Sequence, residues 1–207
     1  MTLSNSIYQT LKSKIILQEI PLASQLKEEQ IAKMLNVTRT PVREAIIKLE
    51  REGLVTIQPN VGAFVVRLSE KDIDDILEVR TALETRAAYI AIKIANKDEL
   101  KKISDTLSGR KTFLEGVKNK KFDYPGVDFH HDLIKLSKNK KLIQFWELLD
   151  AQLQLVRVKS SMVEGRHLLA LQEHKQILFY MFERNYMMTE RSLVNHIAKV
   201  KTNFLLY

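Results

Sequence analysis

From Ser69 onward, apolar residues recur at three- and four-residue spacing with only short polar breaks, a pattern that an all-helical bundle buries and a sheet does not. The periodic runs fall at 70–95, 98–118, 124–138, 140–162, 165–185 and 188–205. Punctuation agrees with helix: six glycines and four prolines in 207 residues are too few for a turn-rich β fold. Cysteine is absent, which excludes disulfide frameworks, thiolate metal ligands and thiol nucleophiles, and fits a reducing compartment. No apolar stretch approaches the roughly eighteen residues of a membrane span, and the opening MTLSNSIYQTLKSK has no apolar leader core, so a cytoplasmic protein is expected. The net charge of +8 favours an anionic partner, whether nucleic acid, acidic lipid or acidic metabolite, and the basic excess is spread along the chain.

The first 68 residues carry a different pattern. Ile7, Leu11 and Ile15 mark a helix from about Ser6 to the Ile20-Pro21 pair, and Leu26, Ile31, Met34 and Leu35 mark a second over about 25–35. Asn36-Val37 makes a sharp turn. Thr38 or Thr40 can cap a third helix, with Pro41 in its first turn, where a missing N–H costs nothing. That helix buries Val42, Ala45, Ile46 and Leu49, leaves Thr40, Glu44 and Arg51 outward with Arg43 on the flank, and stops at Gly53. Two β-branched runs, Leu54–Ile57 and Ala63–Val66, flank a turn-forming cluster and predict a hairpin. Three helices and a hairpin make a winged helix-turn-helix; a generic helical domain with a packing hairpin is the plainer alternative. Ser69-x-x-Asp72 predicts a capping box after a linker at Arg67-Leu68-Ser69. The expected fold is therefore mainly α: a winged helix-turn-helix domain at 1–68, then an all-helical domain at 69–207.

The stretch Val37-Thr38-Arg39-Thr40-Pro41-Val42-Arg43-Glu44-Ala45, continuing through Leu49, Glu52-Gly53-Leu54-Val55 and Gly62-Ala63-Phe64-Val65, resembles the GntR family of bacterial transcription regulators. The helical remainder is similar to the FCD-type ligand-binding domain of that family's FadR branch. The resemblance implies a homodimeric, ligand-responsive regulator that binds a palindromic double-stranded DNA operator, repression being the default direction. It implies base and phosphate contacts by Arg39 and Arg43. Both guanidiniums suit the bidentate fork that reads guanine O6 and N7. Thr38 and Thr40 suit phosphate at a helix N-terminus or plain capping, and Gly62 lets backbone approach the minor groove. Where some relatives carry a DNA-contacting arginine in the second helix, this sequence has Glu29.

In the helical part, Arg80 and Glu84 fall within the buried stripe Ile73, Ile76, Leu77, Leu83, Ala87 and Ala91, so each needs a partner. His130, His174 and His196 share faces with apolar residues on three separate helices, which makes them either satisfied core histidines or a metal centre. Metal-binding FCD members are similar at these three positions, so the resemblance implies a divalent ion, zinc or nickel foremost. The family's aspartate ligand position is Gly126; Asp128 should point elsewhere and Asp123 lies about 10 Å back along an ideal helix. Arg80 matches a position that engages a carboxylate effector, with an internal ion pair to Glu84 as the alternative, and a small organic acid between Arg80 and the metal is the implied ligand. His131 and His167 read as surface or helix-end residues, and Lys118, Lys120 and Lys121 as a solvated turn. No catalytic residues are expected: H-E-x-x-H is absent, no Ser nucleophile motif appears, and Glu173, adjacent to His174, should turn away from an ion. A constitutive DNA-binding dimer with a decayed sensor is the second reading, and a metal-dependent helical enzyme a remote third.

Overall fold

A computed structural model of the chain describes residues 2–116 and 129–205. Pro125, Gly126, Asp123, Asp128, the three lysines at 118–121 and the expected helix start at 124 lie outside the described residues. Packing divides the chain into two units, one of Met1–Ile73 with Leu148–Lys159, the other of Asp74–Glu147 with Ser160–Tyr207.

In the first unit, α1 (Leu3–Ile16) starts at an N-cap on Thr2, whose hydroxyl accepts the Asn5 N–H at 3.3 Å, and buries Ile7, Leu11 and Ile15. The strand β1 (Gln25–Leu26) follows, then α2 (Glu28–Leu35) and α3 (Arg39–Arg51). Leu26 was expected inside the second helix; it is instead 5% exposed in β1, paired antiparallel with Ala63. Pairing with a hairpin strand far along the chain satisfies its backbone instead, and nothing local signals that partner.

The turn between α2 and α3 is closed by a Schellman pair: Asn36 sits at φ 52°, its N–H bonds to Lys33 O, and the Val37 N–H bonds to Ala32 O. The same device ends α3 at Gly53, φ 70°, with Leu54 N–H on Leu49 O and Gly53 N–H on Glu50 O. The expected core positions Val42, Ala45, Ile46 and Leu49 are all buried. The hairpin is β2 (Val55–Gln58) and β3 (Gly62–Val65), in a sheet of order β1-β3-β2 with Val55 opposite Val65 and Gln58 opposite Gly62. Ala151 and Leu155, from the Leu148–Lys159 segment of this unit, complete its core.

The second unit holds most of α4 (Glu70–Ile94), then α5 (Lys97–Gly116), α6 (Phe129–Leu136), the ends of α7 (Lys140–Ser161), α8 (Arg166–Phe182) and α9 (Tyr186–Leu205). The capping box ahead of α4 forms as expected: Asp72 N–H donates to Ser69 Oγ at 3.2 Å and Ser69 N–H to Asp72 Oδ2 at 2.8 Å. An analogous exchange between Asn96 and Glu99 starts α5, at 2.9 Å each way. The Arg184 guanidinium caps the last turn of α4 by donating to Ile92 O and Ala95 O, both at 2.6 Å. Ala88, Ala91, Leu100, Leu107, Leu133, Leu178 and Leu193 form the apolar centre of this bundle. Among the described residues no helix is long and apolar enough to cross a membrane.

Candidate nucleic-acid interface and metal centre

The first site is the outer face of α3. Burying Val42, Ala45, Ile46 and Leu49 turns Arg39, Thr40, Arg43 and Glu44 to solvent, all exposed. Thr38 occupies the N-cap position in extended conformation, yet its hydroxyl makes no cap hydrogen bond and stays available. Arg39 stands at the first residue of the helix, and its Nη2 lies 2.9 Å from Glu29 Oε2 of α2 in an ion pair. Gly62 begins β3 at φ 134°, a conformation that favours glycine, with Gln25 Nε2 2.9 Å from where a Cβ would stand.

The second site is a buried polar centre in the bundle. Arg80 and Glu84 on α4 are both fully buried, and Arg80 Nε donates to Glu84 Oε1 at 2.6 Å. Glu84 Oε2 lies 2.8 Å from Nδ1 of His130, the second residue of α6. Arg80 Nη2 lies 2.8 Å from Nε2 of the same ring, so Arg80, Glu84 and His130 close a triangle. His196 of α9 and His174 of α8 complete the cluster. His196 Nε2 is 3.2 Å from His130 Nε2 and 3.3 Å from His174 Nε2, and the three ligand nitrogens all fall within 4.8 Å of one another. The Phe129 ring stacks on His174 with centroids 4.4 Å apart and planes 16° from parallel.

The outer nitrogens decide the chemistry. His196 Nδ1 lies 2.6 Å from Glu173 Oε2, as His130 Nδ1 lies beside Glu84. A carboxylate on Nδ1 keeps the proton there and turns an unprotonated Nε2 inward. Burial also pushes the His196 imidazole below its ordinary pKa, against the pull of Glu173, and so keeps it neutral. The inward Nε2 atoms, 3.2 Å apart between His196 and His130 and 3.3 Å apart between His196 and His174, pair only where one ring carries a proton there, and a cation can take that proton's place. Two of the three nitrogen pairs, at 3.2 and 3.3 Å, stand near the separation that a tetrahedral ion with roughly 2.0–2.1 Å bonds requires. The donor set therefore fits a divalent metal.

Glu173 was expected to turn away from an ion. It does not reach the Nε2 cluster, but it orients one of the candidate ligands, which sequence adjacency to His174 concealed. Burial opposes its ionisation, yet hydrogen bonds from His196 and Lys199 outweigh that and hold its carboxyl down to about 2. Arg166 adds a contact at 2.9 Å and Lys199 one at 2.8 Å. The i, i+7 spacing of Arg166 and Glu173 on one helical face was the available signal. His167 and His131 are both half-buried in the first turn of their helices, α8 and α6, the helix-end positions expected of them.

The signature of the bacterial regulatory proteins, gntR family, matches residues 3–65, and that of the FCD domain matches residues 75–199. This chain belongs to the GntR family. Relatives match along most of this chain. The uncharacterized HTH-type transcriptional regulator YdhC of Bacillus subtilis is 26% identical, across 91% of this chain and 85% of the relative. The probable D-xylose utilization operon transcriptional repressor of Paenarthrobacter nicotinovorans is 25% identical, across 95% and 86%. Among solved structures, Escherichia coli McbR/YncC superposes with a TM-score of 0.78 at 16% identity over 100% of this chain and 99% of that one, a likeness of fold. As a GntR member with an FCD domain, this protein is a DNA-binding transcription regulator and not an enzyme.

Proposed function

We propose that this regulator is a cytoplasmic homodimeric repressor in which residues 1–68 read half of a palindromic operator and residues 69–207 dimerise and sense a small organic acid. Arg39 and Arg43 take base edges and phosphate in the major groove, Thr38 and Thr40 take phosphate oxygens, and Gly62 brings wing backbone to the minor groove. In the bundle, His130, His174 and His196 hold a divalent ion, with zinc or nickel the chemistry best suited to three imidazoles. An ion so held supplies Lewis acidity toward an oxygen of the bound acid.

The residues' own task is to arrange charge. Arg80 Nη2 covers the His130 Nε2 lone pair at 2.8 Å, so it must turn aside for that nitrogen to serve as a ligand. Glu84 keeps Arg80 by Nε at 2.6 Å, and the released Nη2 can then receive a carboxylate. The effector thereby supplies the negative charge that the family's aspartate would bring and Gly126 does not.

The observation that carries the sensing reading is the convergence of three inward Nε2 atoms beside a fully buried arginine. Elemental analysis of purified protein, with calorimetric melting in zinc and in nickel and a carboxylate screen on each, tests it. Bound stoichiometric metal and a carboxylate-dependent rise in melting temperature are expected. Metal-free protein that neither zinc nor any carboxylate stabilises would favour a constitutive dimer with a decayed sensor, the reading that Gly126 supports.

A further inference from the structure

We infer that Glu29 is a specificity-determining residue of the DNA interface, a positioning residue that acts through Arg39. The inference rests on the base-reading role proposed for Arg39. Glu29 lies in the first turn of α2, Arg39 at the first residue of α3, and the two heads meet at 2.9 Å while both side chains remain largely exposed, 76% and 63%. An ion pair this exposed adds little to folding. Its consequence lies at the binding face. Arg39 enters the groove from the start of α3, so a carboxylate touching its guanidinium stands where the duplex arrives, among phosphates that repel it.

A guanidinium carries five N–H donors. Glu29 approaches the guanidinium at Nη2 in an ion pair, and the N–H donors remain for the fork that fits guanine O6 and N7. A free arginine can swing to a phosphate and read nothing; one tethered on a neighbouring helix is held to a narrower arc and discouraged from that exchange. Glu29 thus weakens attraction to any duplex and sharpens the choice among duplexes. Two separable effects follow, one from the charge of the carboxylate and one from its reach.

The experiment uses full-length protein and a duplex enriched by the wild type from a randomised library. Affinities at fixed salt are measured for that duplex, for its single-base-pair variants and for an unrelated duplex, with wild type, Arg39→Ala, Glu29→Gln and Glu29→Asp. Arg39→Ala should lose discrimination at one base pair. Glu29→Gln should bind the unrelated duplex more tightly and lose roughly three- to tenfold of discrimination at that same base pair, a part of what one good bidentate contact provides. Glu29→Asp keeps the charge but is too short, so it should lose discrimination while the unrelated duplex stays weakly bound. If Arg39→Ala loses discrimination and Glu29→Gln does not, the inference is wrong and the role of Arg39 stands. If Arg39→Ala discriminates like wild type at every base pair, both are overturned. Matched thermal melts guard against misfolding, and an equal loss of affinity across all duplexes would assign Glu29 a merely structural role.

Discussion

Gly53 is held at φ 70°, with Gln152 Nε2 only 1.8 Å from where a Cβ would stand. Gly53→Ala therefore has to adopt left-handed backbone and push the glutamine aside; a loss of about 1–2 kcal/mol in urea unfolding is expected, and an unchanged midpoint would contradict it. At Arg39 the prediction concerns binding: Arg39→Ala should cost about 1–3 kcal/mol of operator affinity in a salt-matched titration, with little effect on the melting temperature of a side chain 63% exposed. Single residues differ in how much of this could be read from sequence. The outward Thr40, Glu44 and Arg51 follow from the spacing of Val42, Ala45, Ile46 and Leu49, which sets the helix face, and the stop at Gly53 follows from the residue itself. The pairing of Glu173 with His196 spans two helices, and no local pattern encodes which residues of α8 and α9 meet. The Glu29–Arg39 contact was hidden for the same reason, although both residues were singled out.

Elements that obey local rules were the most legible. The capping box at Ser69 and Asp72 formed because its chemistry is contained within four residues, whereas β1 was missed because two residues pair with a strand almost forty positions away. The cap also sets a pH dependence. Hydrogen bonds from Ser69 to the Asp72 carboxyl hold it below its ordinary value of 3.8. In the unfolded chain this carboxyl takes up its proton first as the solution is acidified, so the stability it contributes is present above about pH 3.8 and is lost as pH falls through the lower folded value. Asp72→Asn should accordingly melt below wild type at neutral pH, and the gap should close on acidification. A gap that widens toward low pH would reverse the sign of the linkage.

For the whole molecule, the order of a winged unit followed by a helical bundle was readable because each segment buries one face at its own period. The candidate centre was half legible: helical spacing put three histidines on inner faces, but that those faces converge is a property of packed helices. The matching prediction is made on the intact protein. Dialysis against chelator should lower the melting temperature, and zinc at a hundred times its dissociation constant should restore about 2.7 kcal/mol. His196→Ala should abolish that response, while Arg39→Ala should leave it intact. An ion held at the proposed centre of His130, His174 and His196 would make trace contaminants in a buffer part of the sample. Two preparations identical in sequence but drawn from different columns can then be different molecules at their middle, and stock history belongs beside every measurement made on them.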